Sequence, residues 1–194
     1  MLLKDFLAIS FQNVKSPKRT KILHKVLLDE ILNSNPDWAE YNWDYEVVIK
    51  DGWGGTFQVD IIAYDSNGDI KIIILDKAYQ SSVTKNMKNF SNTTIGESTR
   101  AFYSPLCKNI EKILFVSVMP RVAPIFTNKG DVKGFDDVVA AKSRANIDPV
   151  LQQQYGGIVE IIDLFYDIED VRMKSNKSDF DVIEVTNLDE LVVA

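Results

Sequence analysis

The stretch Phe57–Asn89, FQVDIIAYDSNGDIKIIILDKAYQSSVTKNMKN, decides the fold of this chain. Its pattern is that of a strand, a tight turn, a second strand and a polar segment with helical character. The turn at 65–69 contains an Asn-Gly pair, which readily adopts the positive φ angles of hairpin turns. Pairing of the two strands brings Asp60 and the pair Asp76-Lys77 toward the same end of the sheet. Charges in apolar strands are unfavourable unless they are paired, hydrogen-bonded or bound to a metal, so the sequence indicates a polar site there.

The elements around this stretch predict a mixed α/β domain with a central β-sheet flanked by α-helices. Residues 72–75 are all apolar, which is typical of a central strand that is covered on both faces. We expect a single domain over residues 1–194, with a core at about 17–165 and a C-terminal extension at about 166–194. The further predictions are helices at 17–33, 81–92, 136–145 and 149–155, strands at 41–50, 112–119, 158–165 and 180–185, and a loop between residue 121 and the helix at 136–145.

Composition is that of an ordinary globular domain, with 45% hydrophobic and 26% charged residues in 194. The sequence has no apolar run long enough to cross a membrane and no signal-peptide pattern at its start. Its one cysteine, Cys107, excludes an internal disulfide framework and suits a reducing compartment, so we expect a cytoplasmic protein.

The single histidine, His24, argues against histidine-rich metal sites and Ser-His-Asp triads. It lies near the apolar edge of a predicted helix, which favours a structural role. The sequence also lacks a glycine-rich phosphate loop, a G-x-G-x-x-G motif and a nucleophile elbow. These absences argue against most classes of small-molecule enzyme.

Charge is unevenly distributed along the chain. The net charge of −6 opposes general attraction to nucleic acid, yet residues 81–150 carry 10 basic and 6 acidic side chains. This basic segment directly follows the strand that ends in Asp76-Lys77. It is either an ordinary solvated surface or the face that meets a nucleic acid.

Glu30 is an acid near the middle of the apolar arc of the helix at 17–33. The arc spans about half of the helix circumference and is formed by Ile22, Leu23, Val26, Leu27 and Ile31. An unpaired buried carboxylate is unfavourable, so Glu30 points either at the core or at a site beside it. The alternatives are a slightly rotated helix, or pairing of Glu30 with Arg19 or a lysine.

The order helix, β-hairpin, strand, helix, strand over residues 17–119 resembles the PD-(D/E)xK, or restriction-endonuclease-like, nuclease superfamily. Val59-Asp60-Ile61 looks like the setting of that family's first metal-binding aspartate. Leu75-Asp76-Lys77 stands where the family carries its acid-x-lysine motif. The resemblance implies a restriction-endonuclease-like core.

The resemblance also implies a metal-dependent endonuclease that hydrolyses DNA phosphodiester bonds. Asp60, Asp76 and Glu30 would hold Mg²⁺ or Mn²⁺, which prefer oxygen ligands. Bound metal would polarise the phosphate and activate the attacking water. Lys77 would orient that water or neutralise developing charge, and Gln80 would complete the catalytic set.

The polar helix after Gln80 resembles the helix that faces DNA in many members of this superfamily. Its residues Lys85 and Lys88 are therefore the candidate nucleic-acid contacts. Many nucleases of this fold cut both strands as dimers, so the resemblance also allows a homodimer.

The motif departs from the family pattern, because Leu75 occupies the usual acid position when Lys77 is aligned with the family lysine. Asp76 and Lys77 should point to opposite faces of a regular strand. Three interpretations are open. A β-bulge brings both residues to the site; Asp76 ligates the metal while Gln80 or a lysine from the next segment replaces Lys77; or the site is degraded. In the last case the protein is a catalytically inactive nuclease-fold module that binds DNA or another protein.

Overall fold

The computed structural model describes residues 1–11, 17–144 and 146–193, without the side chains of 17–19, 86, 88, 143 and 144. The α-helices are α1 (Leu3–Ser10), α2 (Pro17–Ser34), α3 (Val83–Phe102), α4 (Val138–Arg144) and α5 (Asp148–Tyr155). The strands are β1 (Asn42–Lys50), β2 (Thr56–Tyr64), β3 (Ile70–Ala78), β4 (Lys112–Pro120), β5 (Val122–Phe126), β6 (Val132–Asp137), β7 (Val159–Ile168) and β8 (Val185–Thr186). Within the described residues, every helix is too short or too polar to cross a membrane.

A mixed six-stranded sheet, in the order β1-β2-β3-β4-β7-β8, forms the centre of the fold. β3 pairs with β4, and β4 with β7, in parallel, whereas the other neighbours are antiparallel. Strands β5 and β6 form a separate antiparallel pair. The predicted α/β class, with helices flanking a central mixed sheet, is confirmed.

Apolar layers cover both faces of β3, as the unbroken apolar run in its sequence predicts. Ile72 and Ile74 pack with Leu27 and Ile31 of α2 on one side, hereafter the α1–α2 face. Ile73 and Leu75 pack on the other side, the α3–α5 face, with residues of α3 and α5. Burial of each such side chain contributes about 1.5–3 kcal/mol, which fixes these three helices against the strand that carries Asp76 and Lys77.

The side chains of β1 and β2 change the face of the sheet to which they point at Glu46 and Asp60. Val59 packs on the α3–α5 face, whereas Ile61 packs on the α1–α2 face, although residues two apart in a regular strand share a face. The β1–β2 pairing has the same register before and after Glu46 and Asp60, but these two residues are not paired with each other. Glu46 also has a positive φ angle of 54°. This irregularity places Asp60 between the two faces of the sheet.

The structure differs from the sequence-based expectations in three segments. The polar segment after β3 and residues 94–102 form one continuous helix, α3. The loop predicted from residue 121 contains the β5–β6 hairpin. The sequence pattern did not predict this hairpin because Pro124 lies within β5, and proline is disfavoured inside strands other than edge strands. The strand predicted at 180–185 is reduced to β8. Ser16-Pro17 has the sequence pattern of a helix N-cap and first helical residue, but Ser16 lies outside the described residues.

Candidate functional site at the β2–β3 fork

The pairing of strands β2 and β3 ends one residue short of Asp60 on β2. Ile61 and Ile74 are the last residues of the two strands that pair through their backbones. Beyond them, the Oδ2 atom of Asp60 accepts a hydrogen bond from the backbone N–H of Asp76 at 2.9 Å. β3 stays paired with β4 as far as Ala78. The two strands therefore form a fork with Asp60 on one arm and Asp76 on the other.

A cleft of about 530 Å³ opens at this fork. Asp60, Leu75, Asp76 and Lys77 lie at its base, on the strands. Three further elements form its walls. They are α2 with Thr20 and Leu23, α3 with Asn89, Phe90, Thr93, Thr94 and Glu97, and β4 with Phe115, Val116 and Ser117. The cleft thus reaches helices on both faces of the sheet, which an unforked sheet would keep apart.

His24, on α2, binds the second carboxylate of the fork. Its Nδ1 lies 2.7 Å from Oδ2 of Asp76, and its Nε2 lies 4.0 Å from Oδ1 of Asp60. Both His24 and the Asp76 side chain are fully buried, and His24 Nε2 and Asp76 Oδ1 have no hydrogen-bond partner. Burial alone would lower the pKa of His24, but the hydrogen bond to Asp76 and the charges of Asp76 and Asp60 outweigh it and raise that pKa.

The two aspartates repel each other in a poorly solvated setting. Burial, together with the charge of Asp76, raises the pKa of Asp60 to about 6, against the opposing effect of its bond to the Asp76 N–H. Burial also raises the pKa of Asp76, while the bond to His24 acts in the opposite direction. A cation between the two carboxylates would relieve both the repulsion and the loss of solvation.

Lys77 points away from Asp76, because β3 alternates regularly up to its end. The register with β4 is unbroken from Ile72 to Ala78, so the interpretation of a β-bulge at Asp76 is wrong. Lys77 is exposed, and its Nζ lies 5.4 Å from the centre of the Tyr79 ring. The strand irregularity near the cleft lies in β1 and β2 instead, at Glu46 and Asp60.

Two predicted site residues do not join this cleft. Glu30 follows His24 by six residues, about 9 Å along the axis of α2, and lines a different cleft with Leu3 and Leu191. Gln80 is buried, and its amide Nε2 donates a hydrogen bond to Oγ of Ser10 in α1. Neither residue lines the fork, so the predicted roles of Glu30 as a metal ligand and of Gln80 in catalysis lose their geometric basis.

The predicted DNA contacts lie on α3. Lys85 is exposed and precedes the cleft residue Asn89 by one helical turn. The side chain of Lys88 lies outside the described part of the chain. The structure therefore places one of the two predicted basic contacts beside the cleft.

The sequence did not indicate the partner of His24 or the position of Glu97 in the cleft. His24 lies on an otherwise apolar helix face, and nothing in the sequence connects it with an aspartate 52 residues away. Glu97 did have a detectable signal, because Asn89, Thr93 and Glu97 recur at four-residue spacing and so share one face of a helix. Burial raises the pKa of Glu97, as does the charge of Asp60, whereas Lys77 acts to lower it.

The donors at the fork fit a divalent cation in their chemistry. Carboxylate oxygens are the preferred ligands of Mg²⁺ and Mn²⁺, and Asp76 presents a buried oxygen that has no other partner. In the described part of the chain, however, no group of three or more His, Cys, Asp or Glu side chains is arranged to hold a metal. Comparison with protein-family models, curated proteins and solved structures finds no significant match to this chain.

Proposed function

We propose that this chain is a metal-dependent endonuclease that hydrolyses DNA phosphodiester bonds and has a restriction-endonuclease-like core. The observation that carries the proposal is the fork, at which the Asp60 carboxylate binds the backbone N–H of Asp76 and both residues line a cleft together with Lys77. The element order α2–β1–β2–β3–α3–β4, with β3 parallel to β4, supports the resemblance of residues 17–119 to that superfamily.

Asp60 and Asp76 would hold Mg²⁺ or Mn²⁺ through their oxygens. When bound, such a cation polarises a phosphate and lowers the pKa of an attacking water. His24 fixes the orientation of the Asp76 carboxylate and shields it from solvent. Lys77, an exposed residue that lines the cleft, supplies a positive charge that binds the phosphate and stabilises charge developing on its oxygens.

The exposed side of α3 supports DNA as the substrate. Lys85, Asn89 and Thr93 recur at four-residue spacing and lead along the helix into the cleft. A lysine and short polar side chains are groups that contact phosphate oxygens. The local excess of basic residues at 81–150, the segment that contains α3, favours a polyanion despite the net charge of −6.

A second candidate is an inactive nuclease-fold module that binds DNA or another protein without cutting it. The pairing of Asp76 with His24 favours this candidate, because the imidazole already compensates a charge that a metal would otherwise neutralise. The orientation of Lys77 on the face opposite to Asp76 favours it as well. The two candidates differ in whether the fork supports hydrolysis.

The test is cleavage of supercoiled, linear and branched DNA with Mg²⁺ or Mn²⁺. We expect cutting by the wild type, and a loss of at least about 100-fold in Asp60→Ala and Lys77→Ala. Lys71→Ala is the matched control, since Lys71 lies at the other end of β3 and binds Glu111. DNA binding without cutting under any of these conditions would reject the nuclease and support the inactive module.

A further inference from the structure

A second cavity lies beside the cleft of the fork, on the α3–α5 face of the sheet. This cavity, hereafter the β7 cavity, has a volume of about 200 Å³ and is lined by Ile161, Asp163 and Phe165 of β7 and by Lys142 of α4. Phe90 of α3 lines both the β7 cavity and the cleft. The two spaces are therefore neighbours on either side of one aromatic side chain.

A row of polar side chains crosses the sheet from the cleft to the β7 cavity. Lys77 pairs with Ser117 of β4, and Ser117 pairs with Asp163 of β7, both in parallel register. Residues paired in this way point to the same face of the sheet, and neighbouring strands lie about 4.8 Å apart, so the row spans roughly 10 Å. Lys77 and Ser117 line the cleft, whereas Asp163 lines the β7 cavity. The row thus connects the proposed phosphate site with the second cavity.

The β7 cavity contains an ion pair that is held away from solvent. Nζ of Lys142 lies 2.9 Å from Oδ1 of Asp163, and Lys142 is only 8% exposed. Burial lowers the pKa of Lys142 and raises the pKa of Asp163, in each case against their mutual attraction. An ammonium group has three N–H donors and a carboxylate has two acceptor oxygens, so the contact between them leaves hydrogen-bonding capacity for a ligand. The cavity therefore presents a donor and an acceptor side by side.

These features fit the base of a nucleotide. A nucleobase carries hydrogen-bond donors and acceptors next to each other along its edge, and its flat faces pack against aromatic and apolar side chains. Phe90, Phe165 and Ile161 supply such walls, and the amide of Asn146 adds a group that both donates and accepts. Because two strand spacings separate Lys77 from the ion pair, one nucleotide can reach across the row from its phosphate to its base.

We propose that the β7 cavity binds an unpaired nucleobase of the DNA strand whose phosphate lies at Lys77, with Lys142 donating to the base and Asp163 accepting from it. This inference rests on the proposed function, since it takes DNA as the ligand, and it adds a recognition site outside the fork. A base reaches such a cavity from a single strand or by leaving the stack of a duplex. Lys77 then binds the phosphate, while the ion pair contacts the base.

The test is calorimetric titration of the metal-free protein with the four deoxynucleoside monophosphates and with deoxyribose 5-phosphate, which lacks the base. We expect at least one nucleotide to bind at least tenfold more tightly than deoxyribose 5-phosphate. Asp163→Asn, which weakens the acceptor, and Val139→Trp, which fills the cavity from its exposed rim, should reduce this preference at least fivefold. The matched controls, both outside the cavity, are Glu160→Gln and Val150→Trp, because Glu160 also pairs with a lysine and Val150 is similarly exposed.

The outcomes separate this inference from the proposed function. Equal affinity of the wild type for the nucleotides and for deoxyribose 5-phosphate overturns the base site. A preference that survives in both Asp163→Asn and Val139→Trp, with each variant folded by thermal unfolding, overturns it as well. A preference that these two variants lose and the controls keep supports the base site even when no DNA is cut, and then only the nuclease is rejected.

Titration with single-stranded and duplex oligonucleotides distinguishes the two sources of the base. If the base comes from single-stranded DNA, Asp163→Asn weakens binding of the single strand alone. If the base leaves a duplex stack, Asp163→Asn weakens binding of the duplex too. Unchanged binding of both oligonucleotides contradicts the inference.

Discussion

The carboxylate of Asp60 accepts a hydrogen bond from the backbone N–H of Asp76 at 2.9 Å, across the fork between β2 and β3. An amide at position 60 keeps an oxygen acceptor, whereas alanine leaves that N–H without one. We expect Asp60→Ala to be about 1–3 kcal/mol less stable than Asp60→Asn. Urea unfolding of both variants measures the difference. Equal stabilities of the two variants would show that this hydrogen bond does not stabilise the fork. DNA cleavage should be lost in both variants.

The buried pair of His24 and Asp76 should respond to single and double substitution in opposite ways. His24→Ala leaves the Asp76 carboxylate buried without a partner, so we expect a loss of about 3–5 kcal/mol. Replacing both residues with leucine removes the charges together and should recover most of that loss. A double-mutant cycle by urea unfolding measures the coupling. Additive effects would contradict a direct interaction.

The loop between β1 and β2 should make stability depend on pH through Asp51. Its carboxylate accepts hydrogen bonds from the backbone N–H groups of Trp53 and Gly55 and from Nε of Arg100. Burial acts to raise the pKa of Asp51, but these donors and the charge of Arg100 outweigh it and lower the pKa below its usual value of 3.8. Ionised Asp51 therefore stabilises the fold above that pH, and the stabilisation is lost as pH falls through the lower pKa of the folded state.

The difference in Tm between wild type and Asp51→Asn isolates this effect, since other carboxylates contribute to both proteins. We expect the wild type to have the higher Tm at neutral pH and the gap to narrow below pH 3.8. A gap that stays constant across the acid range would contradict the assignment.

Two glycines should respond oppositely to alanine. Gly96 lies inside α3 with no atom within 4 Å of a Cβ built on it, so Gly96→Ala should stabilise by about 0.5–1 kcal/mol. A Cβ at Gly52 would lie 2.7 Å from both Cβ and O of Tyr103. Gly52→Ala should therefore destabilise by about 1–3 kcal/mol. Thermal unfolding compares the two, and effects of the same sign would contradict the packing of the Gly52 loop.

Local patterns in the sequence determined the elements that build the fork. The apolar run at 72–75 specified a strand, β3, that is covered on both faces. The Asn-Gly turn at 65–69 specified the hairpin formed by β2 and β3. The helix predicted at 17–33 is α2. These features depend on interactions between near neighbours, which residue type and spacing encode directly. The same patterns identified Asp60, Asp76 and Lys77, which the structure brings to one cleft.

Only the tertiary structure decided which other residues surround those three. Glu30 has the helical position expected of a site acid, yet it lines another cleft, whereas His24, on the same helix, binds Asp76. The approach of Glu97 depends on how α3 packs across the sheet. Such contacts join residues far apart in the chain, so their geometry follows from the docking of whole elements on the two faces of β3. The spacing of residues along the sequence does not encode that docking. The sequence therefore predicted the positions of the carboxylates on the strands but not the residues that contact them.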